Sequence, residues 1–147
     1  MGWYWSLHIA QRMHEYRIAE SGLSRSSRIV DRHPPGALVP GGVKHAVYVD
    51  NFCVISDSKA ASSLCASKIR SQLESANLPT HENVDGEVEL DFVGLHFDGN
   101  EHCVRLSWHR VWRLRLGLQH VLPLGRISGH QLERLIGHCT WAGPLRR

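Results

Sequence analysis

An acidic residue stands between two short apolar segments near the middle of this 147-residue chain. The stretch reads KHAVYVDNFCVIS (residues 44–56), and the acid is Asp50, which Asn51 follows. The flanking segments, Ala46–Val49 and Phe52–Ile55, are rich in β-branched and aromatic residues and predict a β-hairpin. Asp and Asn also tolerate the positive φ angles of tight turns. Asp50 is therefore either a carboxylate placed for chemistry or a turn former.

A second group of candidate residues lies in the basic C-terminal part of the chain. From Arg105 onward there are eight arginines and one acid, a net charge of +7, whereas the preceding 104 residues have nine basic and thirteen acidic residues, a net charge of −4. This asymmetry favours a polyanionic partner. Trp108 and Trp112, with Arg110 and Arg113, form a candidate surface for stacking on bases and contacting phosphates. The alternative is that both tryptophans are core residues surrounded by solvated arginines.

Four helices are predicted to position these groups, from apolar residues at helical spacing and from capping signals. They cover residues 3–20, residues 59–77, residues 108–122 and a last segment that opens with a Ser128–Gln131 capping box. Ser58 is the expected N-cap of the second helix. The expected buried face of that helix is formed by Ala61, Leu64, Cys65, Ile69, Leu73 and Ala76.

The remaining elements are a long loop and two hairpins. Residues 21–43 are rich in Ser, Pro and Gly and predict a loop. A second hairpin is expected to turn at Asp98–Gly99 and return through Cys103–Ser107, with Val93, Leu95 and Phe97 on one face. The order of elements predicts an α+β fold, in which antiparallel hairpins pack on helices.

Several apolar residues are expected in the core. For the last two helices the predicted buried residues are Val111, Leu114, Leu118, Val121, Leu132, Leu135, Ile136 and Cys139. The four cysteines lack metal-binding spacing and are expected to be free core thiols. Trp3, Tyr4 and Trp5 are expected in the core, or else on a surface left bare by a missing part of the protein. Gly143–Pro144 is the expected end of the last helix.

The residues from Tyr48 to Asn51 resemble the Y-x-D-D hairpin of reverse-transcriptase palms, and the neighbouring segments follow that family's order. MGWYWSLHIAQ (residues 1–11) resembles the segment that enters the long palm helix, and Lys59–Asn77 is placed like the helix after the catalytic hairpin. ELDFVGLHFDG resembles the F-L-G hairpin that grips the primer strand. ISGHQLERLIGHCTWAGPLRR is similar to the following helix of retroelement polymerases of the tyrosine-recombinase type.

The resemblance implies nucleotidyl transfer assisted by two Mg2+ ions, with an RNA or DNA template–primer duplex as partner. Asp50 would be the catalytic metal ligand, Tyr48 would lie beside the primer terminus, and Asn51 would replace the family's second Asp with a neutral oxygen ligand. Residues 1–107 would be a partial palm with the loop 21–43, and residues 108–147 a basic, helical, thumb-like segment.

The family's companion carboxylate lies on an earlier palm strand, upstream of the segment at Met1. Before Asp50 this chain offers only Glu15, Glu20 and Asp31, and none of them lies in an apolar strand. We therefore expect the chain to be inactive alone and to need an upstream polymerase segment. The alternative function is that of a small, non-enzymatic, basic nucleic-acid-binding protein. Neither a signal peptide nor an apolar membrane span is evident in the sequence, so an intracellular location is expected.

Overall fold

The structure, a computed structural model, describes residues 5–142 and the side chains of residues 5–140. Residues 5–142 form a mixed α+β fold with four helices and two small antiparallel sheets, which confirms the predicted fold class. The elements are α1 (Ser6–Glu20), β1 (Val43–Tyr48), β2 (Asn51–Ser56), α2 (Lys59–Ser75), β3 (Glu89–Phe92), β4 (Leu95–Asp98), β5 (Cys103–Leu106), α3 (Trp108–Val121) and α4 (Gly129–Ala142). Two short 3-10 turns cover Arg25–Ser27 and Leu122–Leu124.

The chain divides into two compact units, Met1–Glu87 and Val88–Arg147, here called unit 1 and unit 2. Unit 1 holds α1, α2 and the β1–β2 hairpin, whereas unit 2 holds the three-stranded sheet, α3 and α4. The resemblance implies a boundary between palm and thumb after residue 107. The division into two compact units does not test that boundary, which stays a prediction.

Unit 1 has a small apolar core where α1 and α2 pack on the hairpin. Ile18 from α1 meets Cys65, Ile69 and Leu73 from α2, and partly buried strand residues such as Phe52 pack against them. The predicted buried face of α2 is confirmed at its three central positions. The Ser58 cap is confirmed as well, because its hydroxyl accepts a hydrogen bond from the Ala61 amide at 3.3 Å. The prediction was wrong for one member of the stripe, since Leu64 is 73% exposed.

Helix α1 forms as predicted, but its apolar stripe does not face the core. Trp5 is exposed, and so are Ile9, Met13 and Tyr16. The helix instead turns a polar face toward the hairpin, as described below, so spacing identified the helix but not its buried side. Trp3 and Tyr4 lie outside the described residues. No helix within residues 5–142 has both the length and the apolar character needed to cross a membrane.

Unit 2 begins with a three-stranded antiparallel meander in the order β3-β4-β5. The predicted second hairpin is confirmed, but its turn covers residues 99–102 instead of Asp98–Gly99, because Asp98 ends β4 and pairs with Cys103. The segment before it is not one strand, however, because Val93 and Gly94 form a further two-residue turn between Phe92 and Leu95. Both turn residues have positive φ, 52° and 78°, which is the pattern of a type I′ turn. Val93 is therefore a turn residue and does not share a strand face with Leu95 and Phe97.

Helices α3 and α4 contact one another and complete unit 2. The predicted capping box is confirmed, because the Gln131 amide donates to the Ser128 hydroxyl at 3.2 Å and the Ser128 amide donates to Gln131 Oε1 at 2.9 Å. The predicted buried faces are wrong. Among their members only Val121, Leu114 and Leu135 are half-buried, and the exposed ones are Val111, Leu118, Leu132, Ile136 and Cys139. Gly143–Pro144, the expected end of α4, lies outside the described residues.

All four cysteines are free, as predicted, but only two belong to the core. Cys53 and Cys65 are buried, Cys103 is half-buried and Cys139 is exposed. Burial raises the pKa of the Cys53 thiol to about 11, so this side chain is a neutral, apolar filler at pH 7.

Candidate functional site

The tip of the β1–β2 hairpin presents the acidic residue singled out in the sequence. Tyr48 pairs with Asn51, so the two central turn residues are Val49 and Asp50. The predicted turn of Asp50 and Asn51 is thus wrong by one residue, because Asn51 is the first residue of β2 and closes the strand pair. Asp50, Asn51 and Tyr48 are all exposed, and Tyr48 keeps 54% of its surface accessible.

The backbone of the tip is strained at Val49. Its φ of 54° lies in the left-handed region, which a β-branched residue rarely adopts. A residue held there costs about 1–3 kcal/mol and persists only when its surroundings fix it. Positive φ at the first central residue alone is the pattern of a type II′ turn, which matches the twist of a hairpin.

Two side chains of α1 fix that strained residue. Gln11 Oε1 accepts the Val49 amide hydrogen bond at 2.6 Å, and Gln11 Nε2 donates to the Val47 carbonyl at 3.1 Å. His14 Nδ1 lies 2.9 Å from the Val49 carbonyl oxygen. A carbonyl oxygen can only accept, so Nδ1 carries the proton of this ring. Both backbone polar groups of Val49 are therefore held by the helix.

A polar network continues from Gln11 along α1. Gln11 Nε2 also donates to Glu15 Oε1 at 2.7 Å, and Glu15 forms ion pairs with Arg28 and Arg12. Burial of Glu15 opposes its ionisation, but hydrogen bonds from Gln11 and Arg28, with the charges of Arg28 and Arg12, outweigh it and lower the carboxyl pKa. Glu15 thus stays ionised and keeps Gln11 oriented toward the tip. The sequence signal was a set of polar residues at helical spacing, Gln11, His14 and Glu15, opposite the apolar stripe.

The carboxylate of Asp50 is exposed to solvent at the tip of the β1–β2 hairpin. The Asn51 side-chain amide donates to Asp50 Oδ1 at 3.3 Å, which leaves the other carboxylate oxygen without a protein partner among the described residues. An exposed carboxylate and a neighbouring amide oxygen are hard ligands of the kind Mg2+ prefers. Within residues 5–142, however, no group of three or more His, Cys, Asp or Glu side chains is arranged to hold a metal ion.

The other acids before Asp50 are each paired with an arginine. Glu15 is engaged by arginines, Glu20 pairs with Arg17 at 2.9 Å, and Asp31 lies in the exposed loop. Asp50 therefore fits one ligand position of a Mg2+ site, but the described residues do not complete a two-metal site.

The second candidate surface, on α3 in unit 2, exposes stacked aromatic rings. The rings of Trp108 and Trp112 lie 5.7 Å apart at an interplanar angle of 20°, and the two residues are 69% and 42% exposed. Arg115 lies over the Trp112 ring, with its guanidinium carbon 5.4 Å from the centroid. The alternative that these tryptophans belong to the core is thus excluded. Arg115 was not predicted from the sequence, although its spacing of three residues from Trp112 is a usable signal.

The two predicted arginines of this surface differ in their surroundings. Arg113 is exposed, whereas Arg110 is half-buried and lies over Gly94 in the β3–β4 turn. A Cβ atom at Gly94 would come within 1.9 Å of Arg110 Nε. Arg110 therefore packs on the turn, while Trp108, Trp112, Arg113 and Arg115 form what we call the α3 surface.

Comparisons with known proteins add no family assignment to this geometry. No protein-family model matches the chain, and neither the curated proteins nor the solved structures gave a match. The likeness to reverse transcriptases therefore rests on the motifs and their order, and it remains a prediction.

Proposed function

We propose that this chain is part of a retroelement reverse transcriptase, consisting of the end of the palm and the start of the thumb. The observation that supports this best is the display of Asp50. Its carboxylate stands in solvent at the apex of a Tyr-Val-Asp-Asn hairpin whose strained backbone is fixed by α1 through Gln11 and His14. A turn that only connected two strands would not need these hydrogen bonds from α1, because glycine in place of Val49 would adopt the positive φ without strain.

The proposed reaction explains why a rigidly held carboxylate is useful. Nucleotidyl transfer builds negative charge on the reacting phosphoryl group, which two bound Mg2+ ions would offset. Asp50 would supply one charged ligand and Asn51 a neutral one, while the exposed Tyr48 ring beside them would contact the primer terminus. Because a single carboxylate does not make a two-metal site, the proposal requires a second acid from outside these 147 residues.

The strand arrangement of unit 1 indicates where that second acid would enter. The outer edge of β1 is already occupied, because the Ile29 amide donates to the His45 carbonyl at 2.7 Å and Gln11 binds the Val47 carbonyl. Among the described strands, β2 pairs only with β1. A further strand that paired with the open edge of β2 would run directly past Asp50, so this edge is the proposed position of the upstream palm segment.

The metal-ligand role of Asp50 can be tested on the isolated chain by titration with Mn2+, a paramagnetic substitute for Mg2+. We expect selective broadening of the Val49, Asp50 and Asn51 amide signals in NMR spectra. The D50N substitution should abolish the broadening, and D31N, which removes another exposed acid from the loop, should leave it unchanged. Broadening that is unaffected by D50N would contradict the proposal.

The catalytic role is tested by primer extension. We expect no Mg2+-dependent extension by the chain alone, and extension when an upstream palm and fingers segment is supplied in trans or by fusion. In that active form D50N should abolish activity, whereas D31N should not. Activity that survives D50N would rule out Asp50 as a catalytic ligand.

A second candidate function, nucleic-acid binding without catalysis, is favoured by the α3 surface. Stacked, exposed tryptophans flanked by Arg113 and Arg115 are suited to unpaired bases and phosphates. Each base stacked on an aromatic ring contributes about 1–3 kcal/mol to binding. This function needs no metal and makes no use of Asp50.

The two candidates are separated by affinity measurements with a fluorescent oligouridylate. If the α3 surface binds it, W112A should weaken binding by about 1–3 kcal/mol, while W5A, which removes an exposed tryptophan from unit 1, should not. R113Q should lower the salt dependence by about one counterion. D50N should leave affinity unchanged or slightly higher, because it removes a negative charge. Equal losses for W112A and W5A would argue against this surface.

A further inference from the structure

Unit 1 contains a cavity that the proposed functions do not use. It has a volume of about 430 Å3 and lies where α1, the 3-10 turn Arg25–Ser27 and β1 meet. This volume is within the range of small-molecule sites, about 300–1,000 Å3. Ile18, Leu23 and Val47 contribute apolar surface to its wall.

Three arginines line the same cavity: Arg12, Arg25 and Arg28. Two of them flank one carboxylate, since Arg12 Nη1 lies 3.2 Å from Glu15 Oε2 while Arg28 Nη2 binds Glu15 Oε1. Glu15 is therefore an internal counterion that occupies donors of both guanidinium groups.

The cationic side of the cavity is not fully compensated. The Arg25 side chain makes no hydrogen bond or ion pair with any described residue, and Arg28 Nε is buried without a partner. Three guanidinium groups against the carboxylate of Glu15 leave a local charge of +2. His45, which also lines the cavity, adds no charge at pH 7, because burial and the nearby Arg28 lower its pKa.

We propose that this cavity binds a phosphate monoester with an apolar or planar organic group. A phosphate monoester carries a charge of about −1.5 to −2 at pH 7, which matches the uncompensated charge of the cavity. Guanidinium groups bind phosphate oxygens through paired hydrogen bonds, and each of these arginines retains donors that Glu15 does not use. The apolar wall would receive the organic group. This inference goes beyond the polymerase proposal and does not depend on it.

The proposal is tested with phenyl phosphate as the probe, by isothermal titration calorimetry and NMR at constant ionic strength. We expect saturable binding with shifts at Arg12, Arg25 and Arg28, weaker binding of inorganic phosphate, and no binding of phenol. R25Q should weaken phenyl phosphate binding by about tenfold or more, because a charge-assisted contact is lost. The matched control R32Q removes an arginine from the exposed loop and should have no effect.

A gain-of-affinity variant distinguishes the site from general charge attraction. E15Q removes the internal counterion and frees donors of Arg12 and Arg28, so it should tighten binding several-fold, while D31N, an equal charge change in the exposed loop, should not. Far-ultraviolet circular dichroism would verify that each variant is folded. Non-saturable binding, equal effects of R25Q and R32Q, or weaker binding by folded E15Q would each overturn the proposal. D50N should leave the affinity unchanged, so this result is independent of the polymerase test.

Discussion

The two units stabilise their candidate sites in different ways. Every buried apolar side chain of the described residues lies in unit 1, where the core is formed by Ile18, Cys53, Cys65, Ile69 and Leu73. In unit 2 the buried residues among positions 88–140 are polar, namely Asp98 and Ser107. Asp98 Oδ1 accepts hydrogen bonds from the Asn100 and Glu101 amides at 3.0 and 2.9 Å, and Arg105 pairs with its other oxygen.

This difference in packing agrees with the function proposed for each site. A metal ligand must be held in a fixed place, and the tip of unit 1 rests on a core and on hydrogen bonds from α1. A stacking surface tolerates motion, because any base can stack on an aromatic ring. The sheet of unit 2 is organised by turns and polar contacts, and segments with few buried apolar contacts open more readily than cores.

The largest expected effect separates the two units by a matched pair of substitutions. I69A removes a side chain that is 2% exposed in the core of unit 1 and should lower the free energy of unfolding by about 2–5 kcal/mol. I136A changes the same residue type in α4, where it is 53% exposed, and should change stability by about 0.5 kcal/mol or less. Urea unfolding and hydrogen exchange would measure both. Comparable losses would show that α4 is buried in solution.

An intermediate effect is expected at the strained tip. Q11M keeps the length of the side chain but leaves the Val49 amide and the Val47 carbonyl without their partner, so it should cost about 1–3 kcal/mol. Exchange of the Val49 amide should accelerate more than that of core amides. The control Q119M, at an exposed position of α3, should leave stability almost unchanged. Slow exchange of the Val49 amide in Q11M would show that the tip does not need the helix.

The smallest expected effect is a difference between the two units in how their stability depends on pH. Burial, and then the charge of Arg28, lower the pKa of His45 below its ordinary value of 6.5. The unfolded chain therefore binds a proton at higher pH than the folded one, and unit 1 should lose stability as the pH falls below about 6.5. H45L should reduce this loss, whereas H33Q, at an exposed loop position, should not.

Unit 2 should respond only in stronger acid. The Glu101 amide and Arg105 help to lower the pKa of Asp98 below its ordinary value of 3.8. Its contribution is present above that value and is lost as the pH falls through the lower, folded pKa. Hydrogen exchange measured for each unit at about pH 7, 5 and 3.5 would show which unit loses stability first as the pH falls. Loss of protection in the β4–β5 turn at a higher pH than in unit 1 would contradict this prediction.

The elements that sequence reasoning predicted correctly are those with local causes. The Ser128–Gln131 capping box and the Ser58 cap use groups three residues apart, and both form as expected. The burial of Cys65 and Ile69 follows from a stripe at helical spacing. The Val93–Gly94 turn was missed because Val rarely adopts positive φ, so the pattern of β-branched residues indicated a continuous strand.

Burial was predicted less well, because it depends on partners that lie far away in sequence. The apolar stripe of α1 that includes Met13 is exposed, while Gln11 and His14 face the hairpin more than thirty residues later in the chain. Helical periodicity shows that residues share a face, but it does not show which neighbour covers that face. The same limit explains why Leu132 and Ile136 were wrongly placed in a core.

The sequence by itself determined the α+β class, the helices, the first hairpin and the presence of a single carboxylate at its tip, because spacing, caps and turn chemistry act over a few residues. Only the tertiary structure decided that Val49 is strained and fixed by α1, that Trp108 and Trp112 stack in solvent, and that Arg12, Arg25 and Arg28 line one cavity. Each of these depends on where side chains from separate elements end up, and that is set by the packing of the whole unit.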